Sequence, residues 1–226
     1  MTFHSNDIRN DKLLTRYYLD KFPIPVWEWS RQMQEILYRH PHRAEDFARS
    51  FSRNQFVAKT WALETMQTIP APELDDNPVF TICGSWYGTI FVPLIRYIFG
   101  NNTKMNLVDF DKGALEMAGQ LHGHKTIKHF HLDLNWDLHR VKRMSTDILI
   151  NTSMEHLYPW TNESFGGKLC VFQSNNFTQD HAHINCSETL EEFVESMNMD
   201  EVYYSGEIPF HDFDDFHKRF MVIGRK

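Results

Sequence analysis

Five short apolar runs recur from residue 79 onward with helical stretches between them: VFTIC (79–83), MNLVDF (105–110), TIKHFHL (126–132), TDILIN (146–151) and KLCVFQ (168–173). Each is too short for a buried helix and is bounded by polar residues or glycine, so each reads as a buried strand. Strands that alternate with helices argue for a parallel sheet covered by helices on both faces. Two further strand-like segments, EVYYSGEI and KRFMVIGRK, close the chain around an acidic aromatic turn and can pair as an antiparallel edge. The expected fold class is α/β: a doubly wound, seven-stranded, mostly parallel sheet with an antiparallel C-terminal strand, preceded by a helical N-terminal extension.

The helices are legible as well. In NQFVAKTWALETMQ, Phe56, Leu63 and Met66 share one face, and TIPAPELDDNP then breaks the pattern with three prolines, the one plausible boundary. Asp111 is placed to cap KGALEMAGQL, and Ser187 to cap a later helix whose buried face carries Leu190, Phe193, Val194 and Met197.

Composition narrows the partners. A chain of 226 residues, 42% hydrophobic, can bury one sizeable core. A net charge of −7 gives no general attraction to nucleic acid, which is therefore not a favoured partner. Cys83, Cys170 and Cys186 are odd in number and irregularly spaced, which fits reduced thiols rather than disulfides. The first residues lack a signal-peptide core, and no run reaches the roughly 18 apolar residues of a membrane helix. A cytoplasmic protein with no membrane partner is expected; oligomeric state is left open.

The segment TICGSWYGT (81–89) sets a glycine loop between a strand and a helix, the arrangement that cradles nucleotides beyond the carboxyl ends of parallel strands. Asp109 ends the next strand 25 residues after Gly84, where a carboxylate can accept hydrogen bonds from both hydroxyls of a ribose. A third strand is expected to end at Asp133, placed for an adenine amino group, and a fourth at Asn151. A nicotinamide cofactor would call for GxGxxG, which GSWYGT does not supply.

The ordered set FTICGSWYG, LVDFD, FHLDL and DILINTSMEHLYPW resembles the class I, Rossmann-like S-adenosylmethionine-dependent methyltransferases over about residues 78 to 226. As a whole the chain also resembles uncharacterised phage-type methyltransferase-like proteins. The likeness implies a helical cap segment at 1–77 and a Rossmann-like domain at 78–226. It implies S-adenosyl-L-methionine as cofactor, held by Gly84, Ser85, Trp86 and Gly88 in the loop, Asp109 at the ribose, Asp133 at the adenine, Asn151 at the donor's amino group, and Phe110 and Leu134 beside the two acids. Lys59, on the leading helix, would pair with the donor's methionyl carboxylate. One residue departs from the usual GxGxG pattern: Trp86 stands where the middle glycine would be.

The implied reaction is methyl transfer of EC 2.1.1 type, on oxygen or nitrogen, to a small or carrier-bound acceptor. MEHL resembles the EH step found after strand four in many small-molecule O-methyltransferases, which makes His156 and Glu155 the catalytic candidates; histidine is the side chain that exchanges protons near neutral pH. Tyr158, Trp160, Asn175, Asn176, His181 and His183 follow strands four and five and can meet the acceptor. Glu155 and His156 with the two later histidines also resemble the metal set of small-RNA 2′-O-methyltransferases, but Thr152 replaces a glutamate of that set, so no metal is expected. NPPY-like and Pro-Cys motifs of base-methylating DNA enzymes, a GxSxG elbow and a GxxxxGK[ST] loop are all absent. Two other readings stay open: a non-catalytic Rossmann-like interaction module whose loop Trp86 closes, and a different S-adenosylmethionine-using enzyme.

Overall fold

The computed structural model describes residues 26–69, 77–212 and 215–226. The N-terminal region is helical: α1 (Val26–Arg39), a 3-10 turn at Pro41–Arg43, α2 (Ala44–Arg49) and α3 (Arg53–Thr68), whose first turn is capped by Ser52. Most of TIPAPELDDNP lies outside the described residues, as do residues 1–25.

Beyond it run β1 (Phe80–Cys83), α4 (Phe91–Phe99), β2 (Met105–Asp109), α5 (Lys112–His122), β3 (Ile127–His131), α6 (Leu138–Lys142), β4 (Ile148–Asn151), β5 (Leu169–Asn175), α7 (Leu190–Met197), β6 (Glu201–Asp212) and β7 (Asp215–Arg225). They form one seven-stranded sheet in the order β3-β2-β1-β4-β5-β7-β6. The first five strands are parallel, and β7 lies between β5 and β6, antiparallel to both.

Alternation along each strand sends residues to opposite faces and makes two cores. One face carries Phe80, Ile82, Leu107, Ile148, Ile150 and Val171 against α3 and α4, with Phe56, Leu63 and Met66 buried as their spacing predicts. The other carries Val108, Leu149, Cys170, Phe172 and Phe220 against Phe193 and Met197 of α7, while Leu190 and Val194 pack there half-buried. Through a third cluster, Ile36 of α1 and Phe47 of α2 reach Tyr87 in the glycine loop and Ala114, Met117 and Leu121 of α5.

The structure moves three expected boundaries. β3 ends at His131, two residues before Asp133. β5 runs on to Asn175 because its whole length pairs with β7, Leu169 opposite Arg225 through Asn175 opposite Arg219. The cap of α7 is Thr189 rather than Ser187: its hydroxyl accepts from the Glu192 amide at 3.2 Å, and the Glu192 carboxylate reaches back to the Glu188 amide at 2.9 Å. That reciprocal exchange fixes the first turn two residues later than the apolar pattern alone suggests. Asp111 caps α5 as expected, accepting from the Ala114 amide at 3.0 Å.

Candidate functional site

The carboxyl ends of β1, β2 and β4 come together because Cys83 sits in register between Val108 and Asn151. The loop leaving β1 turns sharply by placing three alternate residues in the left-handed region: Gly84 at φ 65°, Trp86 at 51° and Gly88 at 64°. Trp86 thus adopts at the middle position a conformation that glycine takes without strain. Its amide donates to Asp109 Oδ2 at 2.6 Å, and Asp109 Oδ1 accepts from the Asp111 amide at 2.9 Å. Burial raises the Asp109 carboxyl above its ordinary range, opposed by those two backbone hydrogen bonds. The carboxylate that sequence places at a ribose therefore also braces the loop.

The Trp86 side chain packs half-buried against the cluster that holds Ile36, Phe47 and Tyr87, its ring centre 5.4 Å from that of Tyr87 and its indole nitrogen 3.4 Å from Asp46 Oδ2. Tyr87 is fully buried; its hydroxyl donates to Asp46 and accepts from Arg43, which also binds Asp111, the cap of α5. His122 holds the Tyr87 carbonyl at 3.0 Å, and burial lowers its pKa to about 3, so the ring is neutral there. None of this latch between helix and loop was legible as a motif. Ser85 donates its amide to Val108 at 3.1 Å, and its buried hydroxyl has no partner among the described residues.

Lys59 is 5% exposed, its ammonium 5.7 Å from the Phe91 ring centre, with no hydrogen-bond or ion-pair partner among the described residues. Burial and the neighbouring Arg219 lower its pKa to about 7, partly offset by Asp109. Arg219, missed in the sequence, is 6% exposed on β7, donates to the Thr152 carbonyl at 3.1 Å and stands 3.7 Å from Glu155. Its one signal was a guanidinium next to the apolar run FMVIG. Asn151 is wholly buried; its side-chain oxygen accepts from the Ser153 amide at 2.8 Å, leaving its amide nitrogen without a partner among the described residues. The open end of Asn151 is therefore a donor, which suits a carboxylate better than an amino group.

On the other flank, Asp133 is exposed and its Oδ1 accepts from the Asn135 amide at 2.9 Å, while Leu134 packs under the sheet face with Val108. Phe110 is 75% exposed beside Asp109. Tyr158 and Trp160 line a cavity of about 250 Å³ with Leu134, Asn135 and Trp136; Trp160 is also core, tilted against Phe165.

Of the polar candidates after strands four and five, the structure gathers three. Glu155, on the 3-10 turn Met154–His156, is 3% exposed; its Oε1 accepts from Asn175 at 2.8 Å. The segment after β5 is stitched to this turn, since the Ile184 and Asn185 amides both bind the Glu155 carbonyl. This brings His183 beside His156, ring centres 4.6 Å apart. Glu155, His156 and His183 each offer a ligand atom within 4.8 Å of the others. Asn176 binds the backbone of Lys218 at 2.8 Å, and His181 stays exposed outside the cluster.

No protein-family model and no curated protein matches this chain. Solved structures do. The N-methyltransferase NodS from Bradyrhizobium japonicum WM9, in complex with S-adenosyl-L-homocysteine, is 10% identical with a TM-score of 0.52, covering 87% of this chain and 97% of that one. The CurJ carbon methyltransferase is 9% identical with a TM-score of 0.54, over 78% of this chain and 56% of that one. The N-terminal domain of EvdMO1, crystallised in the presence of the same homocysteine derivative and D-fucose, is 11% identical with a TM-score of 0.51, over 77% and 84%. At such identities the likeness is one of fold: the chain has the Rossmann-like methyltransferase fold. No helix among the described residues is long and apolar enough to cross a membrane.

Proposed function

We propose that this protein transfers the methyl group of S-adenosyl-L-methionine to oxygen or nitrogen of a small or carrier-bound acceptor. The observation that carries the reading is the pairing of two opposite sites on one sheet edge. Lys59 is a buried amine with no hydrogen-bond or ion-pair partner among the described residues, and Asp109 is a buried carboxylate bracing a glycine loop. S-adenosylmethionine has matching ends, a carboxylate and a ribose diol. In this reading Lys59 and the open Asn151 amide take the carboxylate, Asp109 the ribose, and Phe110, Asp133 and Leu134 border the adenine. Two of the structural neighbours, NodS and EvdMO1, were crystallised with S-adenosyl-L-homocysteine, which supports the same cofactor.

Methyl transfer is an in-line displacement, so the protein's task is alignment and removal of the acceptor's proton. Glu155 and His156 serve the acceptor, their open atoms being Oε2 and Nε2; Tyr158 and Trp160 wall its approach. The three free cysteines fit a cytoplasmic protein. The phage-type likeness belongs to this proposal and singles out no acceptor.

Calorimetric titration with S-adenosylmethionine and S-adenosylhomocysteine, on wild type and Asp109→Ala, tests the reading. Micromolar binding weakened at least tenfold by the substitution is expected. No binding to wild type would overturn it in favour of a non-catalytic interaction module.

A further inference from the structure

Glu155 keeps a carboxylate oxygen, Oε2, that is buried and has no partner among the described residues. Its other oxygen is occupied by Asn175 and faces Arg219, so the guanidinium satisfies only one side of the group. Leaving a buried carboxylate oxygen unpaired is costly, and such atoms in native structures call for an explanation such as an ion.

Beside that oxygen the two histidines are prepared in the same way. His156 Nδ1 lies 3.0 Å from the Ala182 carbonyl, and His183 Nδ1 lies 2.5 Å from the Phe177 carbonyl. A carbonyl accepts only, so both Nδ1 atoms carry a proton, and in the neutral ring the lone pair is the one on Nε2. His183 Nε2 is 4.0 Å from Asp180 Oδ2, too far for a hydrogen bond, so no proton is held on Nε2 by that carboxylate. A backbone carbonyl on the far nitrogen is the orientation metal-binding imidazoles ordinarily have.

We propose that Glu155, His156 and His183 bind a divalent first-row transition-metal cation. Two imidazoles and one carboxylate, within 4.8 Å of one another, make a three-ligand set with open positions, suited to zinc, cobalt, manganese or iron. This revises the expectation of no metal: the structure selects His183 and leaves His181 outside, and it needs no ligand at Thr152, whose carbonyl serves Arg219. Asp180 adds negative charge at the rim.

The cation's role rests on the methyl-transfer reading, although its binding does not. With an acceptor hydroxyl as a further ligand, the metal lowers the hydroxyl's pKa and its proton passes to water. The oxygen's electron pair then forms the C–O bond to the methyl carbon, the C–S bond breaks, and its pair stays on sulfur as S-adenosylhomocysteine leaves. Glu155 and His156 thereby act on the acceptor as ligands.

The full-length protein, freed of metal by chelation, is titrated with Co²⁺ and followed by its visible absorption, and with Zn²⁺ in competition. Expected is one site per chain with the d–d bands of bound cobalt, displaced by zinc. His183→Ala and Glu155→Gln should each weaken it at least tenfold, while His181→Ala leaves it unchanged. Glu155→Gln keeps a side-chain oxygen for Asn175, so a folding failure of one variant does not decide the matter. No cobalt binding to wild type, or equal loss in His181→Ala, would overturn the proposal. Cobalt binding without S-adenosylmethionine binding would uphold the metal site and sink the methyl-transfer reading; the reverse pattern would do the opposite.

Discussion

If Lys59 receives the donor's carboxylate, cofactor binding must take up a proton. In the ligand-free protein burial and Arg219 hold the Lys59 pKa near about 7, against an ordinary 10.5. A carboxylate at the ammonium favours the charged form and returns the pKa toward its ordinary value. At pH 8 only about a tenth of the free protein carries the proton, so binding takes up about 0.9 proton; at pH 7 about 0.5, and at pH 6 about 0.1. The whole gap is equivalent to at most about 5 kcal/mol, at about 1.4 kcal/mol for each tenfold change.

Calorimetry in buffers of different ionisation enthalpy reads the uptake directly, as the slope of observed enthalpy against buffer enthalpy. Wild type at pH 8 should give the predicted slope, and Lys59→Met a slope near zero with weaker binding. A second consequence follows for the ligand-free protein. Because the folded pKa lies below that of the unfolded chain, the unfolded chain binds more protons between pH 7 and 10.5, and stability rises with pH across that window. Lys59→Met should abolish this rise and stabilise the free protein at neutral pH. Equal proton uptake by wild type and variant at pH 8 would refute the assignment of Lys59 to the carboxylate.

Two pairs of substitutions probe the local structure. Gly88→Ala puts a Cβ 3.0 Å from Val92 Cγ2 and 3.2 Å from Leu107 Cδ1 at φ 64°, so urea unfolding should show a loss of about 2–4 kcal/mol. Gly123→Ala, at φ 74° and ψ −178° with open space around it, meets no clash and should lose about 1–3 kcal/mol from backbone strain alone. Thr189→Ala should lower stability by about 1 kcal/mol through the α7 cap, with Ser187→Ala near neutral; the reverse order would restore the cap to Ser187.

The sheet was readable because apolar runs such as ILIN and LCVFQ, punctuated by polar residues, have few alternatives to a buried parallel strand. Asp111 was readable as a cap because the acid two residues before it, Asp109, is taken up by the end of its strand. Ser187 and Thr189 are chemically equivalent candidates, and only the side chain of Glu192 reaching back decides between them. Two histidines separated by one residue in a loop cannot be told apart by pattern. The turn at Asp180, whose carboxylate takes the Ala182 amide and whose carbonyl takes the His183 amide, aims His183 inward. Lys59 suited either a wet helix face or a ligand; its burial is set by β7, over one hundred and fifty residues later, where Arg219 comes alongside. The left-handed Trp86 was invisible for a related reason, since Asp46, which faces its indole nitrogen, belongs to α2.

The position of β7 in the sheet bears on how the chain can be made. Of the seven strands, the one made after the other six is an interior one, hydrogen-bonded on both sides to β5 and β6. Until it arrives β5 presents an unpaired edge of seven residues, and β6 has no neighbour at all. Synthesis at roughly 5–20 residues per second leaves that edge open for seconds, a template for pairing with other nascent chains. A chain truncated before Asp215 would therefore lose the seam that joins the outermost strand to the sheet, and Arg219 of the site with it.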